Sequence, residues 1–243
     1  MHHRVQVLGV SVDNVTMEQA VRACEEAIKD KTKPHMVATA NAEMIMSAQQ
    51  DGELFNILAS ADLVVPDGAG VVWAARYQRT PLPERVAGYD LVQNLLKVAG
   101  EKGYSIFMLG GAPGIAEQAK NKALTLYPGL VVSGVQDGYF SPSQETEVIQ
   151  AIKSVNPDIL LVALGVPRQE KWIAKNMAEM KIALSIGVGG TFDVMAGTVT
   201  RAPVWMQRSN LEWLYRLLCQ PQRAIRMLAL PRFVLHVVTG KKD

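Results

Sequence analysis

Cysteine is scarce. Cys24 and Cys219 are the only two, far apart and outside any CxxC or CxxH setting. That excludes a disulfide framework and a cysteine zinc site, and it fits a reducing compartment. Charge of one sign is lacking too: the net charge is only +2, which argues against wholesale coating of nucleic acid, so no nucleic-acid partner is expected. No apolar run reaches the roughly 18–20 residues that span a bilayer. Residues 5–15 interrupt their apolar stretch with Gln6, Asp13 and Asn14, so no signal peptide is expected. Met1-His2-His3 reads as a cloning remnant without a role. The patterns HExxH, GxSxG and GxxxxGK[ST] do not occur, so zincin, α/β-hydrolase and P-loop chemistries lose support.

What is present is ordinary globular material. Hydrophobic residues make up 49% and charged residues 20% of 243 residues. Such a chain can bury a sizeable core, as one large domain or one domain with an appendage. The first 200 residues alternate short β-branched runs with helical patterns. Strands are expected at Val5–Val10, His35–Ala40, Leu63–Val65, Ser105–Leu109, Val131–Gly134, Ile159–Leu164 and Ala183–Ile186. Most are nearly continuous in apolar residues, as in a parallel sheet covered on both faces. Helices are expected at Thr16–Lys29, with Thr16 and Gln19 at capping-box spacing, and at Val71–Tyr77, Gly88–Lys102 and Ile115–Tyr127. A further one is expected at Ser143–Ser154, with Pro142 at its first position. The alternation predicts a Rossmann-like α/β fold, with a mostly parallel sheet and helices on both faces.

Residues 201–243 differ: they hold eight Lys/Arg and two acids, whereas the rest is slightly acidic. A basic tail on a weakly acidic body points to an anionic partner. The boundary is drawn after residue 202, giving an α/β body over 1–202 and a helical appendage over 203–243. Pro221 and Pro231 should cut that appendage into about three short helices. Val204, Leu211, Leu214 and Leu218 recur at spacings that place them near one helical face, and Trp205, Trp213 and Tyr215 suit a membrane interface. These apolar residues could pack on lipid, on the body or on a neighbouring subunit, so a homo-oligomer stays open.

In open α/β sheets ligands bind beyond the carboxyl ends of the strands. Here those ends read Thr39-Ala40-Asn41-Ala42-Glu43, Pro66-Asp67-Gly68-Ala69-Gly70, Gly110-Gly111-Ala112-Pro113-Gly114, Gly165-Val166-Pro167-Arg168-Gln169-Glu170 and Gly187-Val188-Gly189-Gly190-Thr191-Phe192-Asp193. The two glycine-rich ends could hold a nucleotide diphosphate on backbone amides, or be ordinary turns. Neither has GxGxxG spacing with a ribose-binding acid about 20 residues on, which counts against a nicotinamide oxidoreductase. Asp67 is either a general base or the N-cap of the helix that follows it. Arg85 is either a phosphate-facing cation or a solvated loop residue. No Asp-x-Asp pair occurs. A leaving diphosphate would therefore rest on amides and arginines rather than on a metal. A non-catalytic membrane adaptor built on the basic tail is the other alternative; it leaves five polar strand ends unexplained.

These segments coincide with a known family. TANAE at 39–43, VVPDGAG at 64–70, PERVAGYDL at 83–91, LGGAPG at 109–114, DGYF at 137–140, LGVPRQE at 164–170 and GVGGTFDVMAGTVTRAP at 187–203 resemble, in order, the WecG/TagA/CpsF family of bacterial glycosyltransferases. The resemblance covers the whole body and is nearest to the family's wall teichoic acid branch. It implies an inverting transfer of an N-acetylated amino sugar, N-acetylmannosamine, from its UDP donor to undecaprenyl-diphosphate-linked N-acetylglucosamine. It places the enzyme peripherally on the cytoplasmic membrane face, and no cofactor is expected. By the same resemblance Asp67 is the base, and Thr39, Asn41, Arg85 and Gln169 handle substrate. Arg216, Arg223 and Arg226 of the appendage face the lipid diphosphate. The donor is expected across Gly110, Gly111 and Gly114, Gly165, and Gly187, Gly189, Gly190, Thr191 and Asp193, with Asp137 and Tyr139 of the DGYF segment near its uracil or ribose.

Overall fold

The computed structural model describes residues 3–209, 211–219 and 228–240, apart from the side chain of Arg216. Its centre is a six-stranded sheet of β3 (His35–Ala40), β4 (Leu63–Pro66), β5 (Ser105–Gly110), β6 (Val131–Gln136), β7 (Ile159–Ala163) and β8 (Leu184–Gly187). The strand order is β4-β3-β8-β7-β5-β6 and every neighbouring pair is parallel. All six carboxyl ends therefore emerge along one edge of the sheet.

Successive side chains of a strand point to opposite faces, and the packing divides accordingly. Val37, Val65, Met108, Leu161 and Ile186 face α1 (Met17–Lys29), α5 (Gly88–Lys102), α6 (Ile115–Leu126) and α9 (Thr191–Ala196). On the other face, Ala38 and Val64 meet α2 (Ala42–Gln50), α3 (Gly52–Ser60) and α4 (Ala69–Tyr77). Phe107, Leu160 and Val162 meet α7 (Glu145–Val155) and α8 (Arg168–Met180). The expected α/β sheet with helices on both faces is present, and the Thr16–Gln19 capping box forms at the start of α1.

Local expectations fail where turn chemistry overrides the apolar pattern. Val5–Val10 is not one strand of the sheet. It is split into β1 (Arg4–Val7) and β2 (Val10–Asp13), an antiparallel hairpin turning at Leu8-Gly9. Both turn residues have positive φ, 49° and 83°, as a two-residue type I′ turn demands. The hairpin lies against the free side of β4, where Asp13 Oδ2 accepts the Val64 N–H at 2.7 Å, so a carboxylate blunts that edge. Helix α7 starts at Glu145 rather than Ser143. Ser141–Gln144 forms a turn of its own, with Gln144 Oε1 accepting from Ser141 N–H, and Pro142 is outside the helix. The sequence pattern does not predict helices α2, α3, α8 or α9; Asn41 and Asp51 cap the first two through the N–H groups of Met44 and Leu54.

Beyond residue 202 lie α10 (Val204–Arg208), α11 (Glu212–Cys219) and α12 (Ala229–Thr239). Val204 and Leu218 do not share a helix. The chain closes after α10 when the Leu211 N–H turns back to the Met206 carbonyl, and α11 starts afresh. Pro231 does not cut the helix: it sits in the first turn of α12, where it costs no intrahelical bond. Pro221 lies outside the described residues. Helix α12 packs on α2 and α4, with Phe233 fully buried and Val237 nearly so. Its Val234, Leu235 and Val238 are exposed. Among the described residues no helix is long and apolar enough to cross a membrane.

Candidate functional site

The strand ends and the start of the tail enclose a cleft of about 810 Å³. Strand β3 supplies Thr39, Asn41 follows it, Asp67 follows β4, and the loop before α5 supplies Arg85. Gly111 follows β5, Tyr139 follows β6, Gly165 and Gln169 follow β7, and Gly189, Gly190, Thr191 and Asp193 follow β8. Twelve sequence-predicted residues thus share one cavity. Gly110, Gly114, Asp137 and Gly187 are not among its lining residues. Arg223, Arg226 and the side chain of Arg216 lie outside the described residues.

Asp67 does not cap the helix that follows it. Gly68 occupies the N-cap of α4 without a side-chain cap, while Asp67 Oδ1 accepts the Gly88 N–H of α5 at 2.9 Å. The carboxylate is therefore held at the N-terminus of a different helix, whose dipole favours negative charge there. Arg85 Nε donates to the Asp67 carbonyl at 2.7 Å. Two bonds thus fix the Pro66-Asp67 strand end against the 85–88 loop, and the Val86 N–H adds a third on the Pro66 carbonyl.

Thr39 is buried, and its hydroxyl donates to the Gly187 carbonyl at 3.2 Å. Asn41 spends its side-chain oxygen on the α2 N-cap. Gln169 is buried and largely engaged: Oε1 accepts from the N–H groups of Gly165 at 3.2 Å and Gly189 at 2.9 Å, and Nε2 donates to Glu170 Oε1 at 2.7 Å. It clasps the β7 and β8 loops together. Burial pushes the Glu170 carboxyl up to about 7, against the pull of the Gln169 hydrogen bond. Gly187 leaves room for this clasp, since a Cβ there would lie 2.7 Å from Gln169 Nε2. Gly110 is needed twice over: its φ is +124° and a Cβ would lie 2.4 Å from the Ala163 carbonyl oxygen. Asp137 Oδ1 accepts the Tyr139 N–H and shapes that loop, leaving the Tyr139 ring exposed at the cleft.

Among the other lining residues, sequence reasoning gave no role to Tyr89, Arg168, Arg201 or Glu212. Arg168 stacks over the Phe140 ring at 5.4 Å. Arg201 makes two bonds to Asp90, at 2.5 and 2.7 Å, and lies 4.7 Å over the Tyr89 ring. Burial opposes the charge of Arg201, but Asp90 and Glu212 outweigh it and hold the guanidinium more firmly protonated than usual. Burial also raises the Tyr89 hydroxyl, with Arg201 pulling the other way. Glu212, the first residue of α11, accepts from Arg85 Nη2 at 2.7 Å and from Arg201 Nε at 3.1 Å. The sequence signal for Glu212 is compositional: it is one of only two acids in a tail with eight bases. Among the described residues no group of three or more His, Cys, Asp or Glu side chains could hold a metal ion.

The cleft thus joins a fixed carboxylate, several guanidiniums and glycine-rich strand ends that bring backbone amides to its wall. Comparison with known proteins identifies relatives of the chain. An N-acetylglucosaminyldiphosphoundecaprenol N-acetyl-beta-D-mannosaminyltransferase of Bacillus subtilis (strain 168) is 40% identical over 208 residues, covering 86% of this chain and 80% of that protein. The enzyme of the same name from Bacillus spizizenii (strain ATCC 23059 / NRRL B-14472 / W23) is 38% identical over 218 residues, 90% of this chain and 84% of its own length. That from Staphylococcus aureus (strain NCTC 8325 / PS 47) is 31% identical over 240 residues, 98% of this chain and 94% of its own. The profile of the glycosyl transferase WecG/TagA/CpsF family matches residues 5–243, and the chain belongs to that family.

Proposed function

We propose that this chain transfers N-acetylmannosamine from UDP-N-acetylmannosamine to undecaprenyl-diphosphate-linked N-acetylglucosamine, a step of wall teichoic acid linkage-unit synthesis. The names of its relatives supply the acceptor and the sugar. The observation that carries the reading for this chain is the placement of Asp67 beside Arg85 at the mouth of the cleft. Asp67 acts as general base on the acceptor hydroxyl while UDP departs from the opposite face of the sugar, which inverts the anomeric carbon. General-base assistance of this kind is worth about 10²–10⁴-fold. The diphosphate lies near the glycine-rich ends of β5 and β8, stabilised by backbone amides and guanidiniums without a divalent metal. Tyr139, exposed at the rim, offers a face for uracil or ribose. Thr39 and Asn41 border the sugar, and Gln169 serves by holding the two loops that receive it.

The body, 1–202, carries the chemistry, and the appendage, 203–243, brings it to the cytoplasmic membrane face. Exposed Val204, Trp205, Trp213, Leu218 and Leu235 are suited to an interfacial layer. The tail's bases add about 1 kcal/mol each near anionic lipid. Arg216, Arg223 and Arg226 are assigned to the acceptor's diphosphate. The test is incubation of the full chain with UDP-N-acetylmannosamine and a lipid-diphosphate N-acetylglucosamine, with and without EDTA. Turnover that persists in EDTA supports the metal-free scheme. Activity abolished by EDTA and restored by magnesium or manganese would overturn that part, and absence of any transfer would overturn the whole.

A further inference from the structure

We propose that Glu212 is a positioning residue: from the tail helix α11 it sets the guanidinium of Arg85 and, through it, the strand end that carries Asp67. The inference deepens the transferase reading and relies on it for its kinetic test; its structural test stands apart.

The geometry is a relay in one direction. Arg201 is a fixed post, clamped by two bonds to Asp90 and stacked over Tyr89. Glu212 Oε1 takes the Arg201 Nε–H at 3.1 Å, which fixes the carboxylate. Glu212 Oε2 then takes Arg85 Nη2 at 2.7 Å. From the same guanidinium, Nε reaches the Asp67 carbonyl at 2.7 Å. Asp67 Oδ1 finally receives the Gly88 N–H, three residues beyond Arg85. Each step is a hydrogen bond, and most of the groups are at least half withdrawn from solvent: side-chain exposures are 7% for Glu212, 18% for Arg201 and 20% for Arg85.

The chemistry explains why the tail presents a carboxylate here. Two guanidiniums approach the same point of the cleft, and an anion between them offsets their repulsion and takes one donor from each. Of the five donors on Arg85, the Glu212 and Asp67 bonds use two. The remainder can meet an anion in the cleft while the side chain stays oriented. Without Glu212, a guanidinium on a flexible stem at the rim of an open cleft keeps only its bond to the Asp67 carbonyl. The relay also gives the tail a second task, separate from reaching a membrane: α11 completes the ion-pair frame behind the base.

The test uses the full chain with Glu212→Ala and Glu212→Gln, a water-soluble short-chain lipid-diphosphate N-acetylglucosamine, and phosphatidylglycerol vesicles. Displacement of a catalytic group by about 1 Å can cost on the order of 10²-fold in rate. Glu212→Ala should therefore lower kcat by roughly 10–100-fold, with the KM for UDP-sugar changed by no more than about threefold. Formate should restore part of the rate in a saturable way by taking the vacant carboxylate position. Glu212→Gln, which can accept from one arginine but carries no charge, should fall between. Vesicle binding should match the parent. Independently of activity, hydrogen exchange at the Gly88 amide should quicken about tenfold in Glu212→Ala, as the bond to Asp67 loosens.

Unchanged kcat with unchanged Gly88 exchange would overturn the proposal. So would higher activity with tighter UDP binding, which would make Glu212 a competitor of the diphosphate. Loss of activity in step with vesicle binding, without formate rescue, would also overturn it and reduce Glu212 to a strut of the tail. If the parent chain itself transfers no sugar, the transferase reading fails, and the Gly88 exchange still decides the positioning claim.

Discussion

Replacing Phe233 by alanine should undock the last helix while leaving the opposite face of the sheet intact. Phe233 is fully buried in the cluster shared by α2, α4 and the β1–β2 hairpin. Its ring lies against Gly70, where a Cβ would come within 3.6 Å of it. Truncation of a buried Phe to Ala costs about 3–5 kcal/mol. Helix α12 has 11 residues, short of the roughly 12–15 that an isolated helix needs to be even marginal in water, so its order depends on docking. The loss therefore appears first as local opening. At about 1.4 kcal/mol per factor of ten, the opening equilibrium shifts by at least roughly 10²-fold. Hydrogen exchange resolved by peptide is the assay. The α12 amides should lose about two orders of magnitude of protection, while α1, in the core on the other face, keeps nearly all of its own. Protection of α12 at the parent level would refute the docking argument, and equal losses in α1 and α12 would refute its local character.

Asp67→Asn should lower kcat by about 10²–10⁴-fold with little change in melting, because the amide oxygen can still accept the Gly88 N–H but cannot take the acceptor's proton; steady-state kinetics and a thermal melt check both halves. Gly110→Ala should cost at least about 2 kcal/mol, from a φ of +124° and a Cβ set 2.4 Å from the Ala163 oxygen, read as a lowered urea midpoint. Glu170 supplies a pH dependence. Its folded pKa, about 7, lies above the ordinary glutamate value, so the native state holds the proton more tightly than the unfolded chain. Its contribution is undiminished below the unfolded pKa and is lost as pH rises toward 7, a decline of about 3 kcal/mol at 1.36 kcal/mol per pH unit. Glu170→Gln should flatten this slope, so its urea midpoint relative to the parent's should rise between about pH 5 and pH 8; a difference that stays constant across that range refutes the assignment.

The sheet was legible because burial on both faces writes itself as near-continuous apolar runs such as Ile159–Ala163. The first hairpin was not, because Leu8 carries a positive φ that its residue type does not advertise. Helices α2 and α3 hid behind Asn41 and Asp51, whose capping role competes with other uses of short polar side chains. For the site, residues at strand ends were readable from position, since a parallel sheet gathers every carboxyl end on one edge. Arg201 and Glu212 were not: their meetings with Asp90 and Arg85 span 111 and 127 residues of sequence and depend on how the tail returns to the body. Asp67 shows the same limit in reverse, for the helix end that holds it is α5, 21 residues on, rather than the adjacent α4.

The central claim is the reaction itself, and the product decides it most directly. The full chain is incubated with UDP-N-acetylmannosamine and a short-chain prenyl-diphosphate N-acetylglucosamine, and the lipid product is analysed by mass spectrometry and by NMR of its new glycosidic bond. The account predicts a disaccharide lipid heavier by one N-acetylhexosamine residue, with the anomeric configuration inverted relative to the donor and one UDP released per product. Retention of configuration, or UDP release with no sugar on the lipid, would contradict it.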